Sequence, residues 1–135
     1  MKFKEVITRD AAEVEINDWL DWKKITPAQR ETHKDHIDAL IEGLQYGFLT
    51  LKDNAFKQTL LFPTEGEAPV TEFNYKARIN AVMLAPYLSG VKSGDGDARV
   101  IANLACLTAQ PKQILKQLDP QDKRICDSIV VFFLS

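Results

Sequence analysis

Leu49-Thr50-Leu51-Lys52-Asp53-Asn54-Ala55-Phe56-Lys57-Gln58-Thr59-Leu60-Leu61-Phe62 is where this chain changes period. Leu49 and Leu51 alternate with polar neighbours, Asp53-Asn54 is a turn-forming pair, and Phe56 to Phe62 reads as a longer strand with Leu60 and Phe62 on one face. A third alternating run, Val70 to Ala77, sets Phe73, Tyr75 and Ala77 against Glu72, Asn74 and Lys76. The three runs predict an antiparallel meander. Because apolar residues fall at helical spacing on both sides of it, the fold class is α+β: N-terminal helices (1–47), a small antiparallel three-stranded sheet (48–78) and a C-terminal helical cluster (79–135) in a single domain. Pro63 to Pro69 is polar, proline-flanked and free of apolar anchors, which predicts an exposed, mobile loop.

Upstream, Asp10 can cap a helix from Ala11 to about Lys24, with Glu13 at the capping-box position and Ile16, Trp19 and Leu20 on its inner face. Thr26-Pro27-Ala28-Gln29 is a clearer start, because Thr caps, Pro suits the first helical turn and Gln can reach back. That helix carries Ile37, Leu40, Ile41 and Leu44 inward and stops at Gly47.

Downstream, Ile79, Val82, Met83 and Tyr87 predict a helix that Pro86 kinks or ends. Asp97 is expected to cap a helix whose inner face is Val100, Ile101, Leu104 and Leu107. Pro111 and Pro120 each suit a first helical position, Asp119 can cap the last helix, and Asp122 sits near the positive end of its dipole. At about 100° per residue, Ile125, Cys126, Ile129, Phe132 and Phe133 form one apolar face of the last helix. Val131 and Leu134 project instead from the side shared by Lys123, Arg124 and Asp127, where no intramolecular partner is evident. Val131, Leu134, Arg124 and Asp127 are therefore the candidate partner-binding residues.

Composition narrows the function. With 135 residues the chain can bury a core without staples, and 45% hydrophobic with 27% charged residues argues against disorder. Seventeen basic residues against nineteen acidic leave a charge of −2 and no basic stripe, so nucleic acid is not the expected ligand. The N-terminus lacks an apolar leader core, and no apolar run approaches the ~20 residues that span a bilayer, so a cytoplasmic protein that does not enter membranes is expected. Cys106 and Cys126 lack metal or redox spacing and read as small buried hydrophobes.

Candidate chemistry is sparse. His33 and His36 lie three apart on a helix and could share an ion, but Asp35 and Asp38 point away and no third ligand is supplied. A boundary His33 and an exposed His36 explain the pair without a metal, and a metal-dependent enzyme would require stoichiometric zinc or iron in the purified protein. Ser93-Gly94-Asp95-Gly96-Asp97 fails as a calcium loop, because the twelfth position counted from Asp95 is Cys106, and it lacks the residues of a phosphate-binding loop. Trp19 and Trp22 with Lys23 and Lys24 could make an aromatic and basic surface, although Asp18 and Asp21 are interleaved and packing is the simpler reading. No catalytic, cofactor-binding or metal-binding residue is assigned, and a non-enzymatic protein with no cofactor is expected.

Four segments carry a resemblance: Thr71-Glu72-Phe73-Asn74-Tyr75-Lys76-Ala77-Arg78, Leu104-Ala105-Cys106-Leu107-Thr108, Leu118-Asp119-Pro120-Gln121-Asp122 and Ile129-Val130-Val131-Phe132-Phe133-Leu134. From Val70 onward the chain resembles the tail assembly chaperones of contractile-tailed bacteriophages of the P2 and Mu type. In that family a short strand ending in Arg leads into a helix, a Leu-x-x-Leu-Ser/Thr step, a Leu-Asp-x-x-Asp step and a closing apolar helix ending in Phe-Leu. The resemblance implies a non-enzymatic chaperone in the bacterial host cytoplasm that binds the tape measure protein before tail-tube subunits polymerise, with the tail-tube protein as a further partner and self-association into a homo-oligomer left open. The alternative is a small regulatory or immunity-type module that inhibits one partner, with Glu65 to Glu67 as its contact.

Overall fold

The computed structural model describes residues 3–134. Its β-hairpin is set by Asp53 and Asn54, whose φ values of 52° and 63° give the two left-handed residues of a tight hairpin turn that matches strand twist. The turn joins β1 (Leu49–Lys52) to β2 (Ala55–Thr59), with Leu49 opposite Gln58 and Leu51 opposite Phe56. The third strand, β3 (Glu72–Asn74), pairs with β2 so that Phe73 faces Gln58, and the order β1-β2-β3 is the expected antiparallel meander. Leu49, Phe56, Gln58 and Phe73 are buried on one face, while Lys57 and Glu72 form an ion pair of 2.8 Å.

Two strands are shorter than the alternation predicts. Past Thr59 the amides of Leu61 and Phe62 leave the ladder and donate to the Asp122 carboxylate at 2.8 and 2.9 Å. Phe62 is consequently 51% exposed rather than packed beside Leu60. At the end of β3 the Lys76 amide donates to the Leu107 carbonyl, which takes the chain off the sheet and onto a helix. In the Pro63–Pro69 loop, Thr64 is buried and exchanges two hydrogen bonds with Val70, so its base is pinned, and its remaining residues are exposed.

Seven helices surround the sheet among the described residues. The first, α1 (Arg9–Trp22), is capped by Thr8, whose hydroxyl accepts from the Ala11 amide at 3.1 Å; Asp10, the expected cap, lies in the first turn instead. Its buried face is Ala12, Ile16, Trp19 and Leu20. The predicted capping box between Thr26 and Gln29 is present, but the helix it opens divides into α2 (Pro27–Thr32) and α3 (Lys34–Tyr46) at His33. The short α2 has no buried residue, and Thr32 Oγ1 bonds back to the Ala28 carbonyl, a contact that bends helices. Gly47 ends α3 with φ of 82°, as its position predicts. Gly43 lets α3 meet β1: a Cβ there would lie 2.6 Å from Leu49 Cδ1.

After the sheet come α4 (Ala81–Leu88), capped by Asn80 and containing Pro86, and α5 (Gly96–Thr108). The cap of α5 is Asp95, which accepts from the Ala98 amide at 3.0 Å, and Asp97 falls in the first turn. Every residue from Ala102 to Thr108 is buried, making the second half of α5 central to the fold. Helices α6 (Lys112–Lys116) and α7 (Pro120–Val130) follow; Pro111 is the cap of α6 rather than its first residue, whereas Asp119 and Pro120 take their expected places on α7. One contiguous core runs from Ala12 to Phe132, and Trp19 sits in it edge-on to Phe56 and Phe132 at 4.9 and 5.8 Å.

Candidate partner-binding clefts

The chain after Val130 decides where the nominated residues point. The α7 helix ends there, and Phe132, Phe133 and Leu134 curl back, their amides donating hydrogen bonds to the Ile129 and Val130 carbonyls. Helical projection therefore fails for the last four described residues. Phe132 is buried, Phe133 is only half-buried, and Val131 and Leu134 both turn toward α5, against the expectation that they lack an intramolecular partner.

There they line a cleft of about 480 Å³ together with Val100, Ile101 and Val130, rimmed by His36, Asp97, Lys123 and Asp127. Lys123 and Asp127 pair one helical turn apart and so neutralise each other, leaving Asp97 as the remaining charged residue on that rim. Val131, Leu134 and Asp127 thus come together as the sequence proposes. Arg124 does not join them: it is exposed and lines a different cleft, with Phe3, Glu42 and Phe48, because one hundred degrees of helix separate successive residues and α3 lies beside that side of α7.

A second apolar cleft of about 460 Å³ adjoins the first. Val100, Asp97 and Leu134 border both, and Leu84 and Leu88 of α4, Phe133, and Gly96, Arg99 and Asn103 of α5 complete it. Helix α4 buries none of its residues fully, and Val82 is 83% exposed, so this helix keeps an apolar face in solvent. Sequence periodicity located α4 but gave no sign that its apolar residues would stay uncovered.

The histidines are structural neighbours of this surface. His36 Nδ1 lies 3.0 Å from Ser128 Oγ, and since that hydroxyl donates to the Arg124 carbonyl, the imidazole nitrogen is the donor. His33 packs edge-on to Phe132 at 5.7 Å, and the two imidazole centroids are 6.0 Å apart. Among the described residues no three His, Cys, Asp or Glu side chains converge to hold a metal.

A buried polar network, unforeseen in the sequence, locks α7 to the sheet. Tyr75 donates to Gln58 Oε1 at 2.7 Å and contacts Cys126 Sγ at 3.2 Å, Gln58 Nε2 donates to the Asp122 carbonyl, and the fully buried Asp122 carboxylate accepts from the Leu61 and Phe62 amides just past β2. Burial pushes the Cys126 thiol up to about 12 and raises Tyr75 well above its ordinary value. Cys126 is therefore held as a thiol, the form that is neither nucleophile nor metal ligand. The only sequence signal was Gln58, which alternation places inward between Phe56 and Leu60.

Two cations rest on aromatic faces beside the second cleft. Lys23 Nζ is 3.6 Å from the centroid of Phe133, and Arg78 Cζ is 4.5 Å from that of Trp22. Burial, and then repulsion from Arg78, lowers the Lys23 ammonium below its usual range. No helix among the described residues is long and apolar enough to cross a membrane. No family model, curated protein or solved structure matches the chain.

Proposed function

We propose that this chain is a non-enzymatic tail assembly chaperone of a contractile-tailed phage or prophage, acting in the bacterial cytoplasm to cover apolar helical stripes of the tape measure protein. The observation that carries the reading is the pair of adjoining apolar clefts formed by α4, α5 and the curled end of α7, lying within the part of the chain that resembles that family. An apolar groove with a charged rim suits a helix whose side chains recur at i, i+3, i+4 and i+7. A tape measure protein is long and helical, and its exposed apolar stripes aggregate unless covered.

Co-expression tests this directly. The tape measure protein encoded beside this gene should be largely insoluble alone and should co-elute with this chain when both are made. A tape measure protein that is soluble alone and elutes apart from this chain overturns the proposal. The alternative, an inhibitor of one specific partner, draws on the exposed acidic Glu65-Gly66-Glu67 tip held up by the pinned Thr64; it predicts a complex that E65Q/E67Q abolishes and that leaves the clefts free.

A further inference from the structure

Lys23 and Arg78 are cations with no counter-charge. Neither takes part in an ion pair among the described residues, as is true of most cations there, but these two alone among the described residues rest on aromatic rings. The half-buried Lys23 ammonium is repelled by the exposed Arg78 guanidinium, and an incoming anion would relieve that repulsion. Their stacking on Phe133 and Trp22 holds both in place before any ligand arrives, which lowers the entropy lost on binding.

Phe133 joins this pair to the apolar surface: its ring lies under Lys23, and it also lines the cleft with Leu84, Leu88 and Leu134. The cleft has a direction. Leu88 and Asp97, on either side of the α4–α5 connection, mark one end, while the Lys76 amide on the Leu107 carbonyl brings the segment that leads to Arg78 to the opposite end of α5. A nucleic acid does not suit this layout, because Asp97 borders the same cleft and the chain carries a charge of −2.

We infer that Lys23 and Arg78 form an anchor for a carboxylate on a helical client, so that the occupant of the α4–α5 cleft is an amphipathic peptide with an apolar stripe and an acidic side chain at one flank. This rests on the client-binding reading and adds to it the client's charge and its orientation in the cleft.

The test uses synthetic helical peptides bearing leucines at i, i+3, i+4 and i+7, with one glutamate at either flank, alongside counterparts with glutamine there. Affinity is read by peptide anisotropy and by the emission of Trp22, the half-buried tryptophan under Arg78. One of the glutamate peptides should bind about fivefold or more tightly than its glutamine counterpart at low salt. That advantage should vanish in K23Q/R78Q, shown by circular dichroism to be folded, and should shrink as salt is raised. Equal binding of glutamate and glutamine peptides overturns the anchor while the helical-client reading stands. Failure of every peptide to bind overturns the anchor and removes this cleft from the client surface, leaving the chaperone proposal to the co-expression result. Inorganic sulfate that changes Trp22 emission as strongly at equal concentration would make this a small-anion site and overturn the peptide assignment.

Discussion

Replacing Asp122 with Asn should destabilise the protein about as severely as replacing it with Ala. The carboxylate is fully buried, and its two oxygens accept from the Leu61 and Phe62 amides at 2.8 and 2.9 Å, turning the chain after β2 toward α7. Hydrogen bonds to a charged acceptor contribute about 1.5 to 3 kcal/mol each, and a buried amide left unpaired costs about 1 to 3 kcal/mol. Asn keeps one acceptor but aims an NH₂ group at the second amide, so a donor faces a donor. Position in the first turn of α7 adds the loss of a favourable charge at the helix N-terminus, about 0.3 to 1 kcal/mol. The expected loss for D122N is therefore about 3 to 5 kcal/mol, a large part of the roughly 5 to 15 kcal/mol that holds a domain of this kind. Urea unfolding followed by circular dichroism at neutral pH measures it. A D122N variant within about 0.5 kcal/mol of the parent, the scatter of ordinary surface changes, would refute the argument that this carboxylate fixes α7 to the sheet.

Phe132→Ala should cost about 3 to 5 kcal/mol, because its ring is buried against Trp19, whereas Phe133→Ala should cost clearly less, because that ring is half-solvated under Lys23; thermal melting of the two variants ranks them, and the reverse order contradicts the burial. Stability should fall as pH rises from about 9 toward 12. Cys126 has its ordinary value of 9.0 when unfolded and about 12 when folded, so folding favours the thiol: the stabilisation is complete below the unfolded value and is lost as pH climbs through that window. Denaturation at a series of alkaline pH values should show a flatter decline for Cys126→Ala, with the residual slope owed in part to Tyr75, and an unchanged slope would remove Cys126 as a cause.

The α+β order was legible because it depends on local chemistry that the chain writes openly. Asp53-Asn54 takes the two left-handed conformations a hairpin demands, Thr26 and Gln29 cap each other, and Gly47 ends α3. Local sequence does not decide between two residues that compete for one role: Thr8 rather than Asp10 caps α1 and Asp95 rather than Asp97 caps α5, since either neighbour can reach the open amides. Strand ends are not legible where a distant side chain replaces the ladder, as Asp122 does at Leu61 and Phe62. The candidate surface was half legible. Val131 and Leu134 were found by helical projection, but the helix ends before both, and only the curl after Val130 brings them onto α5. That Arg124 lies apart from them is not legible, because periodicity fixes a side chain's angle on its own helix and says nothing of which element packs there. The pairing of Lys23 with Phe133 joins α1 to the end of the chain, a contact of tertiary structure that no local pattern records.

The central claim, that the clefts beside the end of α7 hold a helical client, is tested most directly by V131D/L134D co-produced with the tape measure protein. Both side chains are half-buried, so the variant should melt at a lower temperature than the parent yet unfold cooperatively with native circular dichroism at 20 to 25 °C, roughly the standard conditions for such comparisons. A charge in a desolvated apolar contact lacks a partner, and co-purification of the tape measure protein should drop at least about tenfold. As a control on the cleft of Arg124, R124E should leave co-purification unchanged. A folded V131D/L134D that retains the tape measure protein at parental levels would contradict the account and place any client elsewhere on the molecule.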